Sequence, residues 1–323
     1  MNLPKLADID VSGKRALVRL DLDTKPDPQD LRVKSSFETL DFLKEKGASE
    51  IIILAHKGRP SLEATAGKPS IDESLSLKPF QTIFNKWGAK VHENLRFDPG
   101  EEANDLGFAE KLASLGDVYV NDAFASSHRN HASIVGLPKI LPHAMGLRFE
   151  KEIEVLDKEF EKPIVVLISG IKEDKIEMVK KLAKVYDKVL VGGRLPEHFG
   201  DGALESVRTQ NGNMVIGNLT MDKEDITLNT IERFKKEIEK AGTIILAGVL
   251  GKYEDKGHIQ GTTEIFEAVA KSSAYKIAGG GDTESAISQL AISHKFDWIS
   301  VGGGAMIEFL INKTLPGIEA LTP

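Results

Sequence analysis

Apolar residues fall along this chain in short continuous runs, separated by longer stretches in which they recur every third or fourth position. The runs RALVRL, IIILA at 51–55, DVYVND, PIVVLIS, KVLVGG, TIILAG, YKIAGG and DWISVGG have the pattern of strands buried on both faces of a parallel sheet. Helical spacing marks 35–46, 102–115, 174–185, 228–241 and 262–271, where one face is apolar and the other charged. Alternation of strand and helix on this scale predicts an α/β fold with right-handed crossovers.

At 323 residues the chain exceeds one ordinary domain, and two are expected. The stretch 147–162, LRFEKEIEVLDKEFEK, is a charged amphipathic pattern between two groups of strands and ends just before Pro163. It is expected to be the interdomain helix; the alternative is that it joins two strands of one large sheet. The expected plan is two doubly wound, parallel-sheet (Rossmann-like) domains: 1–147, a hinge helix over 148–162, and 163–311, with the tail 312–323 packing back on the first domain. No internal repeat, heptad or low-complexity segment interrupts it.

Composition narrows the function more than the fold. Hydrophobic residues are 41% and charged residues 28%, as in ordinary globular proteins. The formal net charge of -7 opposes a surface that coats a polyanion, so nucleic acid is not an expected partner and any basic site must be concentrated. Without cysteine there is no disulfide framework, thiolate nucleophile or Cys-based zinc site. The first fifteen residues hold no apolar signal core, and no run of 18 or more apolar residues occurs; a cytoplasmic protein with no membrane partner is expected.

In the second half, four strands run into glycine: VVLISGIK, VLVGGR, YKIAGGGDT and ISVGGGAM. Open parallel sheets bind ligands at the carboxyl ends of their strands, where glycine lets backbone N–H groups approach phosphate at the positive end of the next helix. One such turn is as readily just a tight turn; four in one half point to a nucleotide. The GxxxxGK[ST] loop is missing, as are a GxGxxG fingerprint after the first strand and the HRD and DFG motifs of protein kinases. That set disfavours a P-loop protein, a Rossmann oxidoreductase and a protein kinase. Asp282, at the start of a predicted helix, either caps it or holds Mg²⁺ beside phosphate oxygens. Lys172, just past a strand end, is placed to neutralise a transferring group.

The first half carries Arg32, HKGRP at 56–60, NLRF at 94–97 and NDAFASSHRNH at 121–131. If its sheet is parallel, Arg32, His56, Arg59, Arg96 and Arg129 converge on one edge as a pocket for a small polyanion. Taken singly, each arginine reads as a solvated surface residue.

Together, VRLDLD, LRVKSS, HKGRP, ENLRF, DVYVNDAFASSHRNHASIVG, GIKEDKI, GGGDT and GGGAMIEFLINKTLPGIEAL occur in the order seen in the phosphoglycerate kinase family, which the chain resembles from Gly13 to Leu321. The resemblance implies reversible phosphoryl transfer between 1,3-bisphosphoglycerate with ADP and 3-phosphoglycerate with ATP, driven by hinge closure in a monomer. By motif, Asp21, Asp23, Arg32, His56, Arg59, Arg96 and Arg129 are expected to bind 3-phosphoglycerate. Arg32, Lys172, Gly281 and Gly304 are expected around the transferring group. Gly170, Lys172, Gly192, Gly193, Gly248, Glu254, Gly280, Gly281, Asp282 and Thr283 are expected at the nucleotide, with Asp282 meeting Mg²⁺. Some motifs depart from the family: DLD stands for DFN, Lys172 and Lys175 are three rather than four apart, and AGVLG at 247–251 replaces NGPxG. Segments between Trp87 and Glu93 and between Gly200 and Asp225 are shortened. These departures carry the alternative, a nucleotide-binding regulatory paralogue that has lost transfer.

Overall fold

The computed structural model describes residues 3–60, 72–171, 173, 175–199 and 212–322. The chain divides into two compact units, one formed by Met1–Leu156 with Thr314–Pro323 and the other by Asp157–Lys313.

The first unit holds a five-stranded parallel sheet of β1 (Arg15–Arg19), β2 (Glu50–Leu54), β3 (Lys90–Val91), β4 (Val118–Asn121) and β5 (His143–Met145), in the order β3-β2-β1-β4-β5. Successive side chains of β1 enter opposite cores: Val18 joins Leu40, Ile53, Phe80 and Val120, while Leu17 joins Leu54, Leu112 and Tyr119. Burial on both faces is why β1 reads as a continuous apolar run. One charge interrupts it, Arg19, which is fully buried.

The second unit holds β6 (Ile164–Gly170), β7 (Lys188–Gly193), β8 (Met214–Ile216), β9 (Thr243–Ala247), β10 (Tyr275–Gly279) and β11 (Trp298–Ser300), all parallel, in the order β11-β10-β9-β6-β7-β8. Both sheets grow outward from a central pair, β1 with β4 and β6 with β9, where the chain reverses its direction of winding. Ligands of doubly wound sheets bind outside the carboxyl ends of that pair. Among the described residues no helix is long and apolar enough to cross a membrane.

Two helices differ from the periodicity. The expected helix over 147–162 spans Leu147–Leu156 and belongs to the first unit. Its buried stripe of Phe149, Ile153 and Leu156 ends there, because the next apolar residue, Phe160, stacks instead on Tyr275 of the second unit at 6.4 Å between centroids. The expected helix over 102–115 is shorter, Leu106–Ala113, and a separate helical turn, Pro99–Glu102, precedes it. Asn104 adopts φ 51° between them, and the Asp105 carboxylate restarts the helix by accepting from the Phe108 N–H at 2.8 Å.

Candidate functional site

In the first unit the crevice beyond β1 and β4 is built from chain segments far apart in sequence. Asp21 follows β1 and is 7% exposed; its carboxylate accepts from the Ala125 N–H at 2.7 Å and the Ser126 hydroxyl at 2.5 Å. Burial pushes its pKa up, with those bonds and Arg19 and Arg32 opposing. Asp23 accepts from the Gly58 N–H at 2.8 Å, and its backbone oxygen receives Arg32 Nη1 at 2.6 Å. Arg32 sits in a short helix whose cap, Asp30, accepts from its N–H at 2.9 Å.

The cations here are held near one another without enough acid to pair them. Arg96 Nη1 donates to the Gly58 oxygen at 2.5 Å and Nε lies 3.0 Å from Glu102, while buried Nη2 has no hydrogen-bond partner among the described residues. Burial and then Arg129 draw the Arg96 pKa down; burial and then Arg59 do the same to Arg129. An arginine whose charge is disfavoured this way gains from an anion that arrives. His56 lies in the same field: burial first, then Arg19, Arg96, His131 and Arg129, hold it well below the usual histidine range. His128 nearby is lowered to about 4, again mainly by burial. The structure thus brings Asp21, Asp23, His56, Arg59, Arg96 and Arg129 to one crevice.

Four buried residues of this crevice escaped the motif reading. Arg19 Nε donates to the Ser133 hydroxyl at 2.9 Å, Nη1 to the Leu20 oxygen at 2.5 Å, and Nη2 meets His56 Nδ1 at 2.6 Å. Glu101 accepts from the Ser133 hydroxyl and N–H at 2.6 and 3.0 Å and lies 3.6 Å from His131 Nδ1. Burial works against the Glu101 charge, but His131, Arg19 and Ser133 outweigh it and its pKa falls. One signal was available: an arginine inside an apolar strand is costly to bury alone and implies a partner.

In the second unit two helix N-termini meet the central strand ends. Gly281–Gln289 begins directly after β10 and Gly303–Asn312 after β11. Between them lies a cleft of about 160 Å³ lined by Gly248, Gly280, Gly281, Asp282 and Gly304. A larger cleft of about 470 Å³ adjoins it, lined by Gly170, Gly193, Gly248, Tyr253 and Glu254, with Asp282 facing both. Gly192 is packed under Leu250. The backbone passes so close at Gly303 that a Cβ there would stand 2.8 Å from the Gly279 oxygen. Amide-rich edges of this kind suit phosphate. Thr283 is buried and its hydroxyl accepts from the Gly248 N–H at 2.8 Å, which locks the loop after β9 to the helix carrying Asp282. Lys175 lines both clefts and donates to the Ser169 oxygen at 2.8 Å. Lys172 lies outside the described residues. A groove of equal volume between helices Leu228–Ile238 and Gln260–Lys271, with Lys235, Glu264 and Lys271 in its walls, is lined by none of the strand-end glycines.

Asp282 makes no side-chain hydrogen bond among the described residues, and no group of three His, Cys, Asp or Glu there is arranged to hold a metal. One free carboxylate beside a phosphate cradle fits Mg²⁺, which takes one or two protein carboxylates and completes its shell with phosphate oxygens and water.

A crevice that gathers Arg59, Arg96 and Arg129 at one switch point and an amide-lined cleft at the other define a two-unit α/β protein whose strand ends suit small anions. The phosphoglycerate kinase family profile matches residues 6–92, 89–213 and 203–313. The phosphoglycerate kinase of Herpetosiphon aurantiacus is 34% identical over 392 aligned positions, covering 99% of each chain. That of Dictyoglomus turgidum is 33% identical over 390, covering 98% of this chain and 97% of its own. The structure of phosphoglycerate kinase from Coxiella burnetii superposes with a TM-score of 0.79 at 26% identity over 99% of each. The chain belongs to the phosphoglycerate kinase family, phosphotransferases with a carboxyl group as acceptor. Alignments longer than its 323 residues mean that the relatives carry segments this chain lacks.

Proposed function

We propose that the chain catalyses reversible phosphoryl transfer between 3-phosphoglycerate with ATP and 1,3-bisphosphoglycerate with ADP, in the cytoplasm and as a monomer. The observation that carries this reading is the pair Arg96 and Arg129, whose charges burial and a neighbouring guanidinium both disfavour, inside a chain that matches the family throughout. A phosphorylated carboxylic acid supplies the missing anions: its phosphate is taken by His56, Arg59, Arg96 and Arg129, its hydroxyl by Asp21 and its acid end by Arg32, with Asp23 lining the same pocket.

In the forward sense a carboxylate oxygen of the acid attacks the terminal phosphorus of ATP, and the bond from that phosphorus to the bridging oxygen of ADP breaks. No enzyme nucleophile is needed; positioning and charge stabilisation suffice. Arg32, Lys172 and the amides at Gly281 and Gly304 take the charge of the migrating group, and Gly170, Gly192, Gly193, Gly248, Gly280, Thr283 and Glu254 seat the nucleotide. Mg²⁺ bound at Asp282 would supply further neutralisation of phosphate charge. Closure of the two units about the connection near 148–162 would exclude water from the acyl phosphate.

A coupled assay with 3-phosphoglycerate, ATP and Mg²⁺ tests the proposal: turnover is expected from folded protein, and Arg32→Ala should abolish it without unfolding the chain. No turnover from the wild type leaves the regulatory reading, for which the Asp23 carboxylate and the AGVLG loop are the motives.

A further inference from the structure

We propose that Arg19 is a positioning residue that holds His56 as a neutral imidazole protonated on Nε2 alone, giving the acid pocket a fixed N–H donor among its arginines. The substrate named here rests on the phosphoglycerate kinase reading; the state of the imidazole does not.

The geometry leaves one arrangement. A guanidinium has donors and no acceptor. With Arg19 Nη2 2.6 Å from His56 Nδ1, that nitrogen must offer its lone pair, since a proton on it would set N–H against N–H. The ring's hydrogen therefore sits on Nε2, which makes no hydrogen bond among the described residues. Arg19 itself cannot swing away: it is fully buried, and its other two donor positions are bonded to the Ser133 hydroxyl and the Leu20 oxygen.

Burial and the cations that face the ring oppose a second proton. Arg19 approaches from β1, Arg96 from the turn Leu95–Phe97, and Arg129 and His131 from the segment after β4. The nearby carboxylate, Glu101, is already engaged by Ser133 and stands 3.9 Å from Arg19 Nη2. A neutral histidine adds directionality without adding repulsion to a pocket that already gathers Arg59, Arg96 and Arg129. Hydrogen-bond partners that fix the tautomer of a functional imidazole work in this way elsewhere.

The test uses the full chain labelled with ¹⁵N-histidine, the His56 resonances being assigned by their loss in His56→Gln. Long-range ¹H–¹⁵N spectra without substrate should show a bare Nδ1 and a protonated Nε2, unchanged between about pH 5.5 and 8. An Nδ1–H tautomer, or titration at an ordinary histidine value, overturns the proposal. Arg19→Met should let His56 gain a proton as the pH falls. Its KM for 3-phosphoglycerate, divided by that of the wild type to cancel the ligand's own titration, should then drop by about threefold or more toward the acid end. Arg19→Lys, which keeps a charge and a donor, should restore a flat ratio; a flat ratio in Arg19→Met also overturns the proposal. If Arg19→Met does not fold, the wild-type spectrum decides alone. Adding 3-phosphoglycerate to the labelled wild type separates the two readings: a fixed tautomer whose Nε2–H ignores the ligand removes the substrate assignment and leaves the role of Arg19 standing.

Discussion

Asp23 places a second carboxylate, after Glu102, among the cations of the pocket. Its Oδ1 receives the Gly58 N–H, a bond that an amide oxygen makes equally well, and its charge steadies Arg96 and Arg129. An anionic substrate must therefore compete with it. Asp23→Asn keeps the acceptor and removes the charge. KM for 3-phosphoglycerate should fall by roughly two- to fivefold, the factor that roughly 0.5–1 kcal/mol of relieved repulsion yields, and should become more sensitive to salt. A higher KM in steady-state assays would show instead that the ligand donates to this carboxylate. Placement near strand ends carried Arg32, His56, Arg59, Arg96 and Arg129 to one edge, and the family motifs added Asp21 and Asp23. Arg19 and Glu101 were not legible that way: Arg19 lies inside a strand and Glu101 in a one-turn helix, Pro99–Glu102, ahead of the stretch marked by the periodicity, so only coordinates show that they meet.

At the scale of elements, each long strand was legible because both of its faces are buried, whereas β3, β5 and β8, of two, three and three residues, escaped notice. All three lie at sheet edges, where a strand can be too short to carry any period. The glycines at the strand ends were legible as turns, but which of them is irreplaceable depends on the backbone. Gly248 adopts φ +122°, and a Cβ there would fall 2.1 Å from Ser169 Oγ, an atom already committed to the Val249 oxygen at 2.5 Å. Gly248→Ala must move the end of β6 or the loop after β9, and Thr283 is bonded to that loop. We expect a loss of about 1–3 kcal/mol in denaturant unfolding of the second unit and at least a tenfold weaker titration with MgADP, with 3-phosphoglycerate binding to the first unit unchanged. Unaltered MgADP affinity would remove the loop after β9 from the nucleotide site.

For the whole molecule, the decisive feature is that the chain enters the first unit twice. Residues 314–323 return to it after the second unit is complete. The short helix Pro316–Glu319 brings the Gly317 N–H to the Ser127 oxygen at 2.8 Å, and contact is so close that a Cβ on Gly317 would lie 2.7 Å from the Ser127 side chain. Ser127 also receives Asn121 at 3.2 Å at the end of β4 and donates to the Ala123 oxygen at 2.9 Å, and its neighbour Ser126 donates to Asp21. The tail thus braces the segment that closes the acid pocket. Leu315, Ile318 and Leu321 are buried to 1% exposure or less; removing them forfeits roughly 5 kcal/mol, comparable to the entire stability of many domains. A chain ending at Lys313 should therefore lose the calorimetric transition of the first unit together with all stabilisation by 3-phosphoglycerate. The second unit, whose sheet and clefts contain no residue of the tail, should still melt cooperatively and at a temperature raised by MgADP. Protection of the shortened chain by 3-phosphoglycerate, equal to that of the full chain, would show that the pocket stands without its brace.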